Sequence, residues 1–312
     1  MTLAKRLLFA TDFSDQTLRA EDWACALAAS WQAPLTIITV LEFPRGMAPS
    51  FAVNEIYLTD RLREATELLT DLKRRATQRD IDVSSRIATG IPSEEVIAAA
   101  LAENSDLVIV GMRGKSGLAH ALLGSTAERV IRTAPCPVLA VHMPKDPGQL
   151  RHEDISLNRI LVPVDFSDCS LDALEYAAMV AGQTKASLEV LHVLEPVYYG
   201  LDFTFERTEQ RDQRRDNLTK RLDELAASLT KASIKVSTRL RGGVPADMII
   251  GEATGSSSDL VVMGTHGRRG LSHLMGGSVA EAVLRRGNHP ILTVRNLKTC
   301  PGHRRIIPNQ IS

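Results

Sequence analysis

Apolar residues in this chain fall into short unbroken runs, separated by longer stretches where they recur every three or four positions. Leu7–Thr11 is such a run. It has the length of a strand buried on both faces and is far too short for a membrane span. Ser14 follows as a candidate helix N-cap, and Ala20, Ala24, Leu27 and Ala28 then repeat at helical spacing. Leu35–Val40 reads Leu-Thr-Ile-Ile-Thr-Val, which is β-branched and strand-like. A helical stretch over 55–79 precedes a third strand, Val83–Ala88, and a third helix, Ser93–Glu103. A fourth strand, Leu107–Val110, a helix beginning over Ser125–Arg132 and a fifth strand, Val138–Val141, complete the series. Strictly alternating β and α elements with apolar strands predict a parallel sheet covered by helices on both faces.

The series is then repeated. Arg6-Leu7-Leu8-Phe9-Ala10-Thr11-Asp12-Phe13-Ser14-Asp15 returns as Arg159-Ile160-Leu161-Val162-Pro163-Val164-Asp165-Phe166-Ser167-Asp168, an offset of 153. Ser105-Asp106-Leu107-Val108 and Gly124-Ser125 return at that offset as Ser258-Asp259-Leu260-Val261 and Gly277-Ser278. An offset held over more than a hundred residues marks an internal duplication with no net insertion between these landmarks. The expected architecture is α/β: two tandem, doubly wound, five-stranded parallel-sheet domains of Rossmann-like type. They cover 1–145 and 156–296, with a tail over 297–312. The seam falls in Pro144–Asn158, whose Lys145-Asp146-Pro147-Gly148-Gln149 has the composition of a linker.

Composition narrows the function classes. The 312 residues carry 37 Lys plus Arg against 37 Asp plus Glu. The surplus of cations that non-specific nucleic-acid binding needs is absent, and no nucleic-acid partner is expected. The N-terminus has no long uncharged h-region, and no stretch reaches the length of a membrane span. Cys25, Cys136, Cys169 and Cys300 have no paired spacing, which suits reduced thiols better than a disulfide or zinc framework. A soluble cytoplasmic protein is expected.

In doubly wound sheets, ligands sit beyond the carboxyl ends of the strands. Two features fall there. Asp12, matched by Asp165, follows the first strand, where a carboxylate can accept hydrogen bonds from a ribose hydroxyl or an adenine amino group. It can equally turn the chain into the first helix. The second feature is Gly111-Met112-Arg113-Gly114, then nine residues, then Gly124-Ser125. The other half has Gly264-Thr265-His266-Gly267, nine residues, and Gly277-Ser278. Glycines allow positive φ and let backbone amides approach a phosphate closely. A helix opening at Ser125 adds unpaired N–H groups. Lys115 and Arg113, with Arg268 and Arg269 in the other half, supply cations nearby. One such glycine pattern would be read as a turn; two at one spacing, each with a strand-one Asp, favour a phosphate site. Gly114-Lys115-Ser116 imitates the end of a P-loop, but Ile109 stands where that motif requires glycine.

A strand-one Asp combined with G-x2-G-x9-G-S resembles the universal stress protein family, in its tandem form and its ATP-binding branch. Thr126-Ala127-Glu128-Arg129-Val130 and Ala134-Pro135-Cys136-Pro137-Val138 are also similar to that family. The resemblance covers the chain up to about Val294. It implies ATP, with or without Mg²⁺, at the ends of strands one and four, and assembly through the last strand of each domain. That assembly would be an intrachain pseudo-dimer built on Val138–Val141 and Ile291–Val294, with a homodimer of chains as a further option. By the same resemblance, Asp12 and Asp165 would hold the ribose and adenine end, with Val40 and Val193 bordering the adenine. Gly111, Arg113, Gly114, Gly124 and Ser125 would cradle the phosphates, as would Gly264, His266, Gly267, Gly277 and Ser278. Two departures stand out. Ala10 replaces a proline that the other half keeps as Pro163, and Gly287-Asn288-His289-Pro290 replaces the Ala-Pro-Cys-Pro segment.

Other residues read more plainly. His120 and His273 share the offset but lack a second metal ligand at suitable spacing. His192 is expected to pack within a strand. The aromatic cluster over 198–205 suits either a ligand or partner surface or a contact between domains. The charged stretch Glu206–Lys220 suits a solvated helix face, and the tail is expected to be loose. Three functions stay open: a nucleotide-dependent signalling module with little or no turnover, a slow ATPase or adenylate-transferring enzyme, and an adaptor that has lost its ligand. With no base and nucleophile paired at a strand end and no Walker B acid, the residues favour the first.

Overall fold

The structure is a computed structural model describing residues 5–42, 52–114, 123–143, 155–195, 198–199, 204–205, 208–265, 278–295 and 306–307. The chain divides into two compact units, Met1–Ile155 and Ser156–Ser312. In the first, the elements are β1 (Leu7–Ala10), α1 (Asp15–Trp31), β2 (Leu35–Leu41), α2 (Ala52–Thr77), β3 (Val83–Thr89), α3 (Pro92–Ala102), β4 (Leu107–Gly111), α4 (Ser125–Thr133) and β5 (Val138–Val141). The five strands are parallel, in the order β3-β2-β1-β4-β5.

Burial explains the sequence pattern. Leu7, Leu8 and Phe9 in β1 and Leu107, Val108 and Ile109 in β4 are at most 1% exposed, because helices cover both faces of the central strands. The edge strand β3 alternates half-buried and exposed positions instead. On α2, Ala65, Leu69, Leu72 and Ala76 are buried at i+4, i+3 and i+4 spacing. Arg75 Nε and Nη2 donate to Glu21 Oε1 at 3.0 and 2.7 Å, tying α2 to α1.

The second unit contains β6 (Arg159–Pro163), α5 (Asp168–Thr184), β7 (Ser187–Leu194), a hairpin of β8 (Tyr198–Tyr199) and β9 (Thr204–Phe205), α6 (Thr208–Lys231), β10 (Val236–Gly242), α7 (Pro245–Gly255), β11 (Leu260–Gly264), α8 (Ser278–Arg286) and β12 (Ile291–Val294). Its main strands are parallel in the order β10-β7-β6-β11-β12. Within the aromatic segment, β8 and β9 pair antiparallel, Tyr198 opposite Phe205 and Tyr199 opposite Thr204. Among the described residues, no helix is long and apolar enough to cross a membrane.

Several repeated residues turn out to be architectural. Asp106 Oδ2 accepts the backbone N–H groups of Lys5 and Arg6 at 2.7 and 3.1 Å, closing the entry to β1. Asp259 Oδ2 does the same for Asn158 and Arg159, at 2.7 and 2.9 Å. Left-handed backbone at Phe13, Gln32, Asp80, Gly90 and Asn104 recurs at Phe166, Lys185, Ser233, Gly243 and Ser257, each 153 residues on. The tail departs from expectation at one point: Ile307 is 4% exposed, and its N–H donates to the Glu175 carboxylate on α5.

An ion-pair network spans one edge of the second unit. Arg239 pairs with Glu189 and, at 3.2 Å, with Glu252, while Arg241 Nε reaches Glu252 Oε2 at 2.8 Å. The hydrogen bond from Arg241, assisted by the charge of Arg239, holds the Glu252 carboxyl below its ordinary value of 4.5. A depressed carboxyl pKa stabilises the fold above the unfolded value, and that contribution is lost as pH falls through the lower folded value. Arg241→Met is therefore expected to lower the melting temperature at neutral pH, with the gap to wild type closing as pH drops below 4.5. A gap that stays constant or widens in acid would contradict this assignment.

Candidate functional site

Strand order reverses between β1 and β4. The register Ala10 opposite Val110 brings the carboxyl ends of these neighbours level. Their chains then leave in different directions, and a crevice opens between them. Asp12, Gly111 and Gly114 all fall at this reversal.

The turn after β1 is locked by its own side chains. Thr11 Oγ1 accepts the Phe13 N–H at 3.0 Å and lies 3.1 Å from Thr17 Oγ1. Asp12 Oδ1 accepts from Ser14 N–H at 3.0 Å and from Ser14 Oγ–H at 2.6 Å. Ser14 is the N-cap of α1, but its side chain makes no capping bond to the helix and serves Asp12 instead. Phe13 sits at φ 57, a conformation costly for an aromatic residue and found mainly where surrounding contacts impose it. The turning role and the ligand role of Asp12 are thus compatible. Oδ1 serves the turn, while Oδ2 faces Gly114, where an added Cβ would lie 2.6 Å away.

The glycines depart from one part of the sequence expectation, the positive φ. Gly111, Gly114 and Gly124 all have φ outside the left-handed range; the described glycines with positive φ are Gly90 and Gly243. What these three provide is close approach. A Cβ on Gly111 would meet Thr17 Cγ2 at 3.0 Å and the Gln16 carbonyl at 3.2 Å, and one on Gly124 would meet the Met112 carbonyl at 3.2 Å. Gly124 donates its N–H to that same Met112 oxygen at 2.8 Å and is the N-cap of α4. The first bond within α4 runs from Glu128 N–H to Gly124 O at 2.9 Å. The amides of Ser125, Thr126 and Ala127 precede it, at the positive end of the helix.

These parts border one cavity of about 550 Å³. Asp12, Val40, Gly111, Arg113, Gly114, Gly124 and Ser125 all line it. Sequence reasoning missed its opposite wall, made by Leu58, Arg61, Ala65 and Leu68 of α2. Their spacing over three turns of one helix was the available signal, overshadowed by the core stripe beside it. Among the described residues, four carboxylates line the cavity (Asp12, Glu42, Glu64 and Glu128) beside two guanidinium groups, Arg61 and Arg113. Arg61 Nη1 is engaged with Glu64 at 2.7 Å.

In the second unit, Asp165 Oδ1 accepts from Ser167 N–H at 3.0 Å and Ser167 Oγ–H at 2.5 Å, beside Phe166 at φ 61. Val193 lies in β7 and Ser278 opens α8. Gly264 packs against α5: a Cβ there would lie 2.8 Å from the Cys169 carbonyl oxygen. His266, Gly267 and Gly277 lie outside the described residues, as do Lys115, His120, Arg268, Arg269, His273 and Cys300.

Sequence comparison matches the universal stress protein family twice, over residues 4–142 and 156–295. A universal stress protein of Mycolicibacterium smegmatis is 28% identical over 298 residues, covering 93% of this chain and 96% of that protein. One from Methanocaldococcus jannaschii is 34% identical over 144 residues, 46% of this chain and 85% of its own length. Among solved structures, a universal stress protein from Archaeoglobus fulgidus superposes with a TM-score of 0.68 at 22% identity, covering 93% of this chain and 98% of that one, which shows a shared fold.

Proposed function

This chain belongs to the universal stress protein family, and from that premise we propose that it is a stress-response module that binds ATP and holds it with little or no turnover. The observation that carries the reading is the cavity at the β1/β4 reversal, whose lining includes both the Asp12 carboxylate and the first turn of α4. Its volume lies within the range of about 300–1,000 Å³ usual for small-molecule sites. Gly114 lets the loop lie against this carboxylate, since a Cβ there would stand 2.6 Å from Asp12 Oδ2.

In this reading Asp12 Oδ2 accepts hydrogen bonds from the nucleoside, with Val40 beside the base. Arg113 and the amides of Ser125, Thr126 and Ala127 receive the phosphates, and Gly111, Gly114 and Gly124 keep the loop close. The triphosphate supplies the anionic group that such helix N-termini favour. Because carboxylates outnumber cations in the lining, Mg²⁺ is a suitable companion that offsets like-charge repulsion.

Calorimetry with ATP and with adenosine tests the proposal. Saturable binding of both is expected, with ATP weakened several-fold by removing Mg²⁺ and adenosine indifferent to it. An absence of saturable binding by either ligand would refute the site. Mass spectrometry of nucleotide released from purified protein separates holding from hydrolysis: intact ATP supports the module, and ADP or AMP supports a slow ATPase or adenylate-transferring enzyme.

A further inference from the structure

The two units keep the same left-handed corner after the first strand, at Phe13 and Phe166, but differ in side chains that surround it. In the first unit Phe13, Thr39 and Leu68 are separate parts of the cavity lining, and Leu68 is 37% exposed. At the 153 offset these positions become Phe166, His192 and Arg221. There the three side chains pack on one another. The Phe166 and His192 rings lie 5.0 Å apart between centroids, and Arg221 Cζ sits 4.1 Å over the Phe166 ring, a cation–π arrangement. His192 Nδ1 is 2.7 Å from the Val164 carbonyl and donates to it, pinning the imidazole at the end of β6. Phe166 is 4% exposed and His192 8%, whereas Phe13 is only half-buried.

Neighbouring positions add bulk in the same direction: Ala65 becomes Leu218 and Val110 becomes Met263. Five lining positions shrink instead, Thr17 to Ser170, Glu64 to Asn217, Met112 to Thr265, Arg113 to His266 and Leu123 to Gly276, and of these Thr17, Met112 and Leu123 are buried in the wall. Met263 lies on β11, the counterpart of β4, but the atoms added at His192, Leu218 and Arg221 lie on β7 and α6, the counterparts of β2 and α2, beside the strand that leads to the Asp. Under the reading above, that is where the nucleoside sits.

We infer that the second unit fills its own nucleoside position with Phe166, His192 and Arg221, so that the chain takes one adenine nucleotide, in the first unit. This rests on the nucleotide reading and adds which half is the receptor. The half that has lost the proline, at Ala10, is thus the one that keeps the open site.

Titration of the full chain with ATP is expected to give a stoichiometry of one. A stoichiometry of two would overturn the inference while leaving the nucleotide reading standing; no binding at all would overturn the nucleotide reading itself. His192→Thr combined with Arg221→Leu restores the first unit's residues and is expected to raise the stoichiometry to two. A folded double variant that stays at one would show that these side chains are not the obstruction. Photolabelling of the wild-type chain with 8-azido-ATP needs no variant: label confined to peptides from residues 1–155 is expected, and equal labelling of both units would overturn the inference.

Discussion

Asp12→Ala is expected to weaken ATP and adenosine alike by roughly 10- to 100-fold, because a hydrogen bond to a charged group contributes about 1.5–3 kcal/mol and each 1.4 kcal/mol is tenfold. The alanine also removes the acceptor of the Ser14 N–H and Oγ–H bonds, so some loss of stability should accompany it. Asp12→Asn separates the two effects. Its carbonyl oxygen can still serve Ser14, which should keep the melting temperature near wild type while the charge is gone and affinity falls. Gly114→Ala should resemble Asp12→Ala in binding, since the added methyl would stand 2.6 Å from Asp12 Oδ2 and that oxygen's partner is anchored through Ser14. Arg113→Ala is the variant that should weaken ATP and spare adenosine. Calorimetry on these four proteins checks the set. Adenosine binding undisturbed by both Asp12 variants would place the nucleoside elsewhere.

Gly264→Ala should produce the largest loss of stability. Its Cβ would lie 2.8 Å from the Cys169 carbonyl oxygen and 2.9 Å from the carbonyl carbon. Both atoms belong to the first turn of α5, so relief requires moving the helix against the sheet. Overpacking of this kind typically costs about 1–3 kcal/mol, and a domain near this size loses roughly 2–4 °C per kcal/mol. Gly111→Ala should cost less, because its nearest obstacle is a methyl group, Thr17 Cγ2, at 3.0 Å, with backbone no closer than 3.2 Å. Thermal unfolding of the two variants side by side is the measurement. Equal stability of Gly264→Ala and wild type would mean that α5 is free to retreat.

The alternation of strands and helices was legible because strands buried on both faces must be apolar throughout, and the duplication gave a second reading of every landmark. Asp12 and the glycines were legible for the same reason. Four things were not. Positive φ and close approach were both open to the glycines, and since either selects the same residue the sequence carries no trace of which one holds. The left-handed turn falls on Phe13, a residue type that gives no local signal for it, and is held by Thr11, Asp12 and Ser14 acting together. The α2 wall needs the tertiary position of the helix: Leu58, Arg61, Ala65 and Leu68 include a cation and an exposed leucine, so they read as ordinary surface. Ile307 was likewise invisible, since Ile306-Ile307 in a largely polar tail says nothing of the buried Glu175 that receives the Ile307 N–H.

The left-handed corners recur in register across both units, even where the residue changes from Gln32 to Lys185 or from Asn104 to Ser257. After a gene doubles, drift therefore has two very different materials to work on. A corner fixes the path of the chain and resists change; a wall residue changes only the space beside that path. Divergence confined to walls leaves the ancestral track intact, so a silenced half remains a few side chains away from its former state. Under the one-site inference, such a protein would carry a spare receptor that selection could reopen, or refit for another ligand, without having to solve the folding problem again.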